Sequence, residues 1–548
     1  STILIKQNKL SQAEEPLKKV IELEPKFVEP YINLGGIFKE LGRYKEAEIY
    51  TRKAIKLKPD FAELYSNLGI ILRSLGELKG AEQAIHKSIE LKPNLFKSYY
   101  LLSTILIKQN KLSQAEEPLK KVIELEPKFV ESYINLGGIL KELGRYKEAV
   151  IYTRKAIKLK PDFAELYSNL GIILRSLGEL KGAEQAIQKS IEIKPNLFEA
   201  HLNLGLILKD LGQLKEAEIS TIKALEINSD SVTAYINLAL IKKDFGNEDE
   251  AKALLKRAIK INPNLEDAKF ELAQLLYYEN NFESAINYLI DNRSKNSLSL
   301  YLSCLLALDR EEEFYRQLHS INIQSICHPE IGALIDHSNI IYDQKIKSSF
   351  ANDTMNCVVV NKIEGQEFSD LHMNQLISYL KENDNKSRYQ QLLINGSHIQ
   401  EELLSLQYPF AVSLKNALNT QIEKYKLLFK DCNQPFIIDW PEKYNIRTWS
   451  IVMKKGGYLL PHNHTYAWIS GSFYLHIPES DQHNNEGNIA FSYKGPKFPT
   501  RGMDFDLNIK SVKTRDICIF PSSLFHHTIP FNNDENRISF VFDLIPIT

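Results

Sequence analysis

The chain lacks the features that announce a covalent framework or a membrane anchor. Its five cysteines, Cys304, Cys327, Cys357, Cys432 and Cys518, are dispersed with no close pair. That argues against a disulfide framework and a cysteine-based zinc site, and fits a reducing compartment. No apolar run approaches the roughly 20 residues a membrane helix needs, and no charged-then-apolar segment opens the chain. An excess of one charge is missing too. The 68 Lys and Arg against 69 Asp and Glu leave a net charge of −1, so nothing global draws the chain to nucleic acid or anionic lipid. A cytoplasmic protein is the default expectation. Because Ser1 falls inside a repeat, the sequence is expected to be part of a longer one.

What is present begins with repetition. At 548 residues the chain is too long for one core. Residues 1–96 recur almost unchanged as 103–198, an offset of three 34-residue units. Each unit carries an aromatic or His, then Leu-Gly, Gly, Ala and a closing Pro, as in Tyr65, Leu68, Gly69, Gly76, Ala81 and Pro93. Small residues let two antiparallel helices approach, and the Pro ends the second helix. Near the end of the array Ser229 replaces the Pro and Asn280 the Gly. The pattern resembles tetratricopeptide repeats over residues 1–296, with a decayed helical unit and connector over 297–344.

Two columns run through the first helices. Asn33, Asn67, Asn135, Asn169, Asn203 and Asn237 each precede the repeat Leu, interrupted by Leu101 and Glu271. A side-chain amide offers a donor and an acceptor to an extended peptide. The column resembles the asparagine ladder in the repeats of protein O-linked N-acetylglucosamine transferases, which implies a protein or peptide partner in a concave groove. A basic column, Lys39, Arg73, Lys141, Arg175, Lys209 and Lys243, accompanies it. The competing reading is a solvated face copied by duplication.

From about residue 345 to 548 the composition turns β-branched and aromatic. CVVVNKI, IIDWPEKYNIRTWSIVM, WISGSFYLHI, GNIAFSY, RDICIFP and RISFVFDLI read as strands, with helices over 370–383 and 408–430. Short antiparallel strands at this spacing predict a sandwich or jelly roll. The expected fold is therefore an all-α solenoid followed by a β domain with flanking helices.

The chemistry lies in that second part. In an extended segment i and i+2 share a face, so His462 and His464 present two imidazoles side by side. Neutral imidazole suits iron, zinc or copper. Taken alone, such a pair reads as two surface histidines before a loop. Downstream stand His526 and His527, then Arg537 and Ser539 on one face of the last strand, opposite Ile538 and Phe540. His476 and His483 read as surface residues, and Trp449 and Phe491 as pocket walls or plain core.

Pro461, His462, His464, Ser470-Gly471, Tyr474-Leu475, Gly487, Phe491, Phe520-Pro521-Ser522, His526, Pro530 and Arg537-Ile538-Ser539 together resemble iron(II)- and 2-oxoglutarate-dependent oxygenases, in a bacterial and phage branch. The resemblance implies a double-stranded β-helix using Fe(II), 2-oxoglutarate, O2 and, as an auxiliary reductant, ascorbate. It implies His462 and His526 as metal ligands and Arg537 as the anchor of the 2-oxoglutarate carboxylate, with Tyr474 and Ser539 beside it. His464 stands where most of the superfamily has a carboxylate: it is a third ligand or none. The implied activity is hydroxylation of a protein or peptide recruited by the repeats. Two alternatives remain open at this point. One is a cupin-type metal dioxygenase, although the Glu expected after HxH is absent from TYAWIS. The other is a non-catalytic interaction scaffold. No long α/β half follows the repeats, which argues against a glycosyltransferase.

Overall fold

The computed structural model describes residues 10–290, 294–320, 327–383, 387–388, 390, 392–399, 403–478 and 485–547. The chain folds as two compact units, Ser1–Ile207 and Leu208–Thr548. The first is a solenoid of paired helices, such as Val28–Glu40 with Tyr44–Leu57 and Ala62–Ser74 with Leu78–Leu91. The repeat glycines explain the pairing. A Cβ on Gly69 would sit 2.5 Å from Ile85 Cδ1, and one on Gly35 would sit 2.6 Å from Thr51 Oγ1. The second glycine, Gly76, takes φ +83°, a left-handed turn between helices that a side chain disfavours. Successive repeats also meet through ion pairs 29 residues apart, Arg43–Glu14, Lys92–Glu63 and Arg145–Glu116. Their basic partners are more than a third exposed, so each contributes little.

In the second unit the array continues through Glu266–Tyr278 and Phe282–Leu289. Asn280 replaces the turn glycine and keeps its left-handed geometry at φ 63°, which Asn tolerates. The connector is helical as expected, over Lys295–Ala307, Glu311–Ser320 and Pro329–Ile341. Leu272 and Leu276 of the last repeat, Leu302 and Leu334 of the connector, and Phe498 and Phe525 from further along the chain share one buried cluster. The period fails before this core ends.

The β region forms two antiparallel sheets. Its strands are β1 (Val359–Lys362), β2 (Ser387–Arg388), β3 (Leu393–Ile399), β4 (Tyr444–Leu459), β5 (Ile469–His476), β6 (Ile489–Ser492), β7 (Asn508–Lys510), β8 (Asp516–Pro521), β9 (Phe525–Thr528) and β10 (Arg537–Pro546). The larger sheet runs β1-β8-β5-β10-β4-β3-β2 and the smaller β7-β6-β9, a jelly-roll-like arrangement. Helices Asp370–Glu382 and Pro409–Leu428 pack against the larger sheet. Several stretches differ from the sequence reading, with β2, β7 and β9 outside the expected strands. Ile437 and Ile438 belong to a helical turn, Pro435–Ile438, because Pro435 presets its first position. β3 escaped notice because LINGSHI has an unpatterned, half-polar face. Gly471 is required in β5: a Cβ there would lie 2.4 Å from Phe542 Cζ. Among the described residues no helix is long and apolar enough to cross a membrane.

Candidate metal centre

Strand β10 sets the site by alternation. Ile538, Phe540, Phe542 and Leu544 enter the core, while Arg537, Ser539, Val541 and Asp543 line a cavity of about 360 Å³. His462 and His464 lie just beyond β4, in an extended segment rather than in the strand itself. That segment runs antiparallel to the start of β9: His462 and His526 exchange backbone hydrogen bonds of 3.1 and 2.8 Å, and the His464 N–H donates to Ser522 O at 3.1 Å. The alternation survives outside the strand because this ladder continues it.

Three rings converge. Centroids are 4.4 Å apart for His462–His526, 5.1 Å for His464–His526 and 5.3 Å for His462–His464. One nitrogen from each lies within 4.8 Å of the others. In every ring Nδ1 is already engaged: His462 with Leu460 O at 2.7 Å, His526 with Leu524 O at 3.2 Å, His464 with Asp543 Oδ1 at 2.5 Å. Donation from Nδ1 leaves the Nε2 lone pair as the free donor atom. Burial pushes the His462 imidazole down to about 4, with repulsion from His464 second. It holds His526 well below the usual range, helped by both neighbours. Both rings are therefore neutral at pH 7. His527 pairs with Ala490 across the small sheet and stays out of the cluster. His476 is on the surface, 3.0 Å from Glu535, and His483 lies outside the described residues.

Beside the rings is a cation without an anion. Arg537 is 2 % exposed. Its Nε donates to Gly487 O at 3.1 Å, one terminal nitrogen meets Met453 Sδ at 3.8 Å, and its Cζ lies 5.0 Å from the Tyr474 ring centre. No carboxylate among the described residues pairs with it. The Tyr474 hydroxyl is fully buried and makes no hydrogen bond of good geometry. A buried guanidinium and an orphaned hydroxyl in one cavity are what a dicarboxylate would satisfy. Ser539, 2 % exposed, lines the same cavity. The donor set fits iron(II) and 2-oxoglutarate.

Asp543 is the residue the sequence reading missed. Its Oδ1 accepts from His464 and, at 2.6 Å, from Ser470 Oγ. The period-two pattern that pairs Arg537 with Ser539 reaches Asp543 in two further steps. Trp449 forms a wall, its ring 5.5 Å from that of His464, whereas Phe491 is buried core whose ring lies 6.0 Å from that of His526. The asparagine column is mostly accessible. Asn33, Asn67, Asn135 and Asn203 are half-buried and Asn169 exposed, but Asn237 is buried. In the basic column Lys209 pairs with Asp244 and Lys243 with Glu271.

Residues 447–543 match the family model described as "Putative 2OG-Fe(II) oxygenase". Seven consecutive segments between residues 28 and 265 match the tetratricopeptide repeat model. The chain is thus a tetratricopeptide array joined to a C-terminal domain of the 2OG-Fe(II) oxygenase type. Similar solved structures include YrrB, described as a TPR protein with an unusual peptide-binding site, at 26% identity over 34% of this chain and 96% of that one, TM-score 0.29. MamA from Desulfovibrio magneticus RS-1 shares 21% over 31% and 96%, TM-score 0.30. Pseudomonas aeruginosa pilF shares 19% over 39% and 97%, TM-score 0.34. No curated protein matches the chain.

Proposed function

We propose that this protein is an iron(II)- and 2-oxoglutarate-dependent hydroxylase of a protein or peptide that its repeats recruit. The observation that carries the reading is three converging imidazoles, each engaged through Nδ1, in one cavity with a buried guanidinium that no carboxylate among the described residues pairs with. In this reading residues 1–296 capture the partner, 297–344 connect, and 345–548 hold the chemistry. The free thiols suit a reducing cytoplasm.

Iron(II) with 2-oxoglutarate and O2, when bound, supplies the oxidation that converts an unactivated C–H into C–OH. His462, His464 and His526 would hold the metal through Nε2, each ring oriented from behind through Nδ1. Asp543 returns, one bond further out, the negative charge that a ligating carboxylate would have brought. Arg537 would take the distal carboxylate of 2-oxoglutarate in its planar fork, with the Tyr474 and Ser539 hydroxyls beside it. The Phe520 ring, 4.6 Å from that of His526, shields the cluster from water. The half-buried and exposed amides of the repeats leave donors and acceptors for an extended chain.

The test is turnover of labelled 2-oxoglutarate to succinate by purified protein with iron(II) and ascorbate. Turnover lost in His526→Ala and Arg537→Ala supports the proposal. A protein that neither retains iron nor forms succinate is a scaffold, and oxygen uptake without 2-oxoglutarate points to the cupin type.

A further inference from the structure

A second cavity, of about 450 Å³, adjoins the histidine cavity; His462, Asn463, Thr465 and Tyr466 line both. Its remaining walls include Phe270, Tyr277 and Tyr278 from the helix Glu266–Tyr278, and Phe525 from β9. At its edge Glu330, in the first turn of Pro329–Ile341, is only 7 % exposed. One carboxylate oxygen accepts from Asn463 Nδ2 at 2.6 Å and the other from Ser303 Oγ at 3.1 Å. Both donors are neutral. No Lys, Arg or His among the described residues forms an ion pair with Glu330.

Lys497 also lines this chamber, but its ammonium is engaged elsewhere, 3.0 Å from Tyr278 O and 2.6 Å from Asn280 Oδ1. It lies 5.5 Å from the Tyr277 ring centre, so one wall already seats a cation on an aromatic face. Burial pushes the hydroxyls of Tyr277, Tyr278 and Tyr466 up, and it raises the Glu330 carboxyl as well, against its two neutral donors, a penalty that an arriving cation would relieve. A buried carboxylate that no Lys, Arg or His among the described residues pairs with, in a chamber lined by aromatic side chains, is complementary to an organic ammonium.

We propose that this second chamber binds an alkylammonium group of the substrate, between the aromatic walls and Glu330, and thereby presents the neighbouring carbons to the histidine cavity. The presentation step rests on the hydroxylase reading; the binding step does not. Lysine or an N-methylated lysine of a peptide and a free quaternary ammonium share this chemistry.

The experiment titrates the whole 548-residue chain, metal-free, with choline, with its uncharged carbon isostere dimethylbutanol, and with N-acetyl-lysine methylamide, read by calorimetry or saturation-transfer NMR. A cation should bind at least about tenfold more tightly than the alcohol. The stronger of the two cations identifies the source. Glu330→Gln should erase the preference, and Phe270→Leu, which keeps bulk but removes the π face, should weaken the cation alone. His526→Ala should leave the preference intact. Equal binding of the alcohol, absence of binding by both cations, or a preference surviving Glu330→Gln would overturn the proposal. Cation binding in a protein that forms no succinate would sink the hydroxylase reading and leave this site standing.

Discussion

The repeat array and the β region treat polar residues in opposite ways. In the array many are exposed and paired, as in Arg145 with Glu148 or Lys194 with Glu165. In the β region several are buried and only partly paired among the described residues: Arg537 has no carboxylate, the Tyr474 hydroxyl no hydrogen bond of good geometry, and three imidazoles held through Nδ1 are pressed together. Exposed pairs contribute little and can be lost singly. Buried unpaired groups cost free energy in the folded protein unless something else completes them. The contrast teaches where ligands belong. The array is held by many interchangeable contacts, and the barrel keeps a few groups that no side chain among the described residues completes.

Substitutions can break this contrast. The largest effect is expected for His526→Ala, which should lower iron retention by more than about 100-fold in a metal titration; Arg145→Ala in the array should leave it unchanged. Arg537→Ala should raise the 2-oxoglutarate concentration needed for half-maximal succinate formation by about 100-fold, since truncating one side of a buried charge pair costs about 2–5 kcal/mol. Asp543→Asn should weaken iron by about 10–100-fold while 2-oxoglutarate dependence at saturating iron changes less. A loss confined to stability would remove Asp543 from the site.

Glycine sharpens the comparison at a smaller scale. Gly471→Ala drives a Cβ into Phe542 and should cost about 1–3 kcal/mol in chemical denaturation. Gly36→Ala, in a helix with nothing within 4 Å of the new atom, should stabilise by about 0.5–1 kcal/mol. The mildest lever is pH. Burial lowers His328 from 6.5 to about 4 and lowers His337 as well. A folded value below the unfolded one means that the unfolded chain gains protons first as pH falls. These two groups should each cost the second unit up to about 1.4 kcal/mol per pH unit below pH 6.5, while Asp336, whose carboxyl burial pushes up to about 8, acts in the opposite sense. In denaturant titrations followed by the β-sheet signal, His328→Gln should remove its share of the loss between pH 6.5 and 4; a pH profile unchanged by that substitution would contradict the buried, neutral assignment.

These contrasts also govern what the sequence could tell. Contacts in the array close within one 34-residue period, so its helices were legible from spacing alone. Two helices of the β region were nearly as clear: 370–383 was expected and Asp370–Glu382 is found, 408–430 and Pro409–Leu428. The histidines and Arg537 stood out as an ordered series, because imidazoles and a guanidinium on apolar strands are conspicuous. Asp543 hid inside FVFDLIP, a single carboxylate in an otherwise apolar strand. Glu330 gave no signal, since its partner Asn463 is 133 residues away, and Gln274 meets Tyr466 across 192. Nothing periodic links residues so far apart.

The wall supplied by Glu266–Tyr278 has a hereditary consequence. The near-copy of residues 1–96 at 103–198 ends well before that helix, so a tandem duplication of the upstream units adds or deletes repeats without altering one residue of the chamber. Reach and reactivity can then diverge on separate evolutionary clocks: a lineage that lengthens its array inherits the pocket beside the histidines intact.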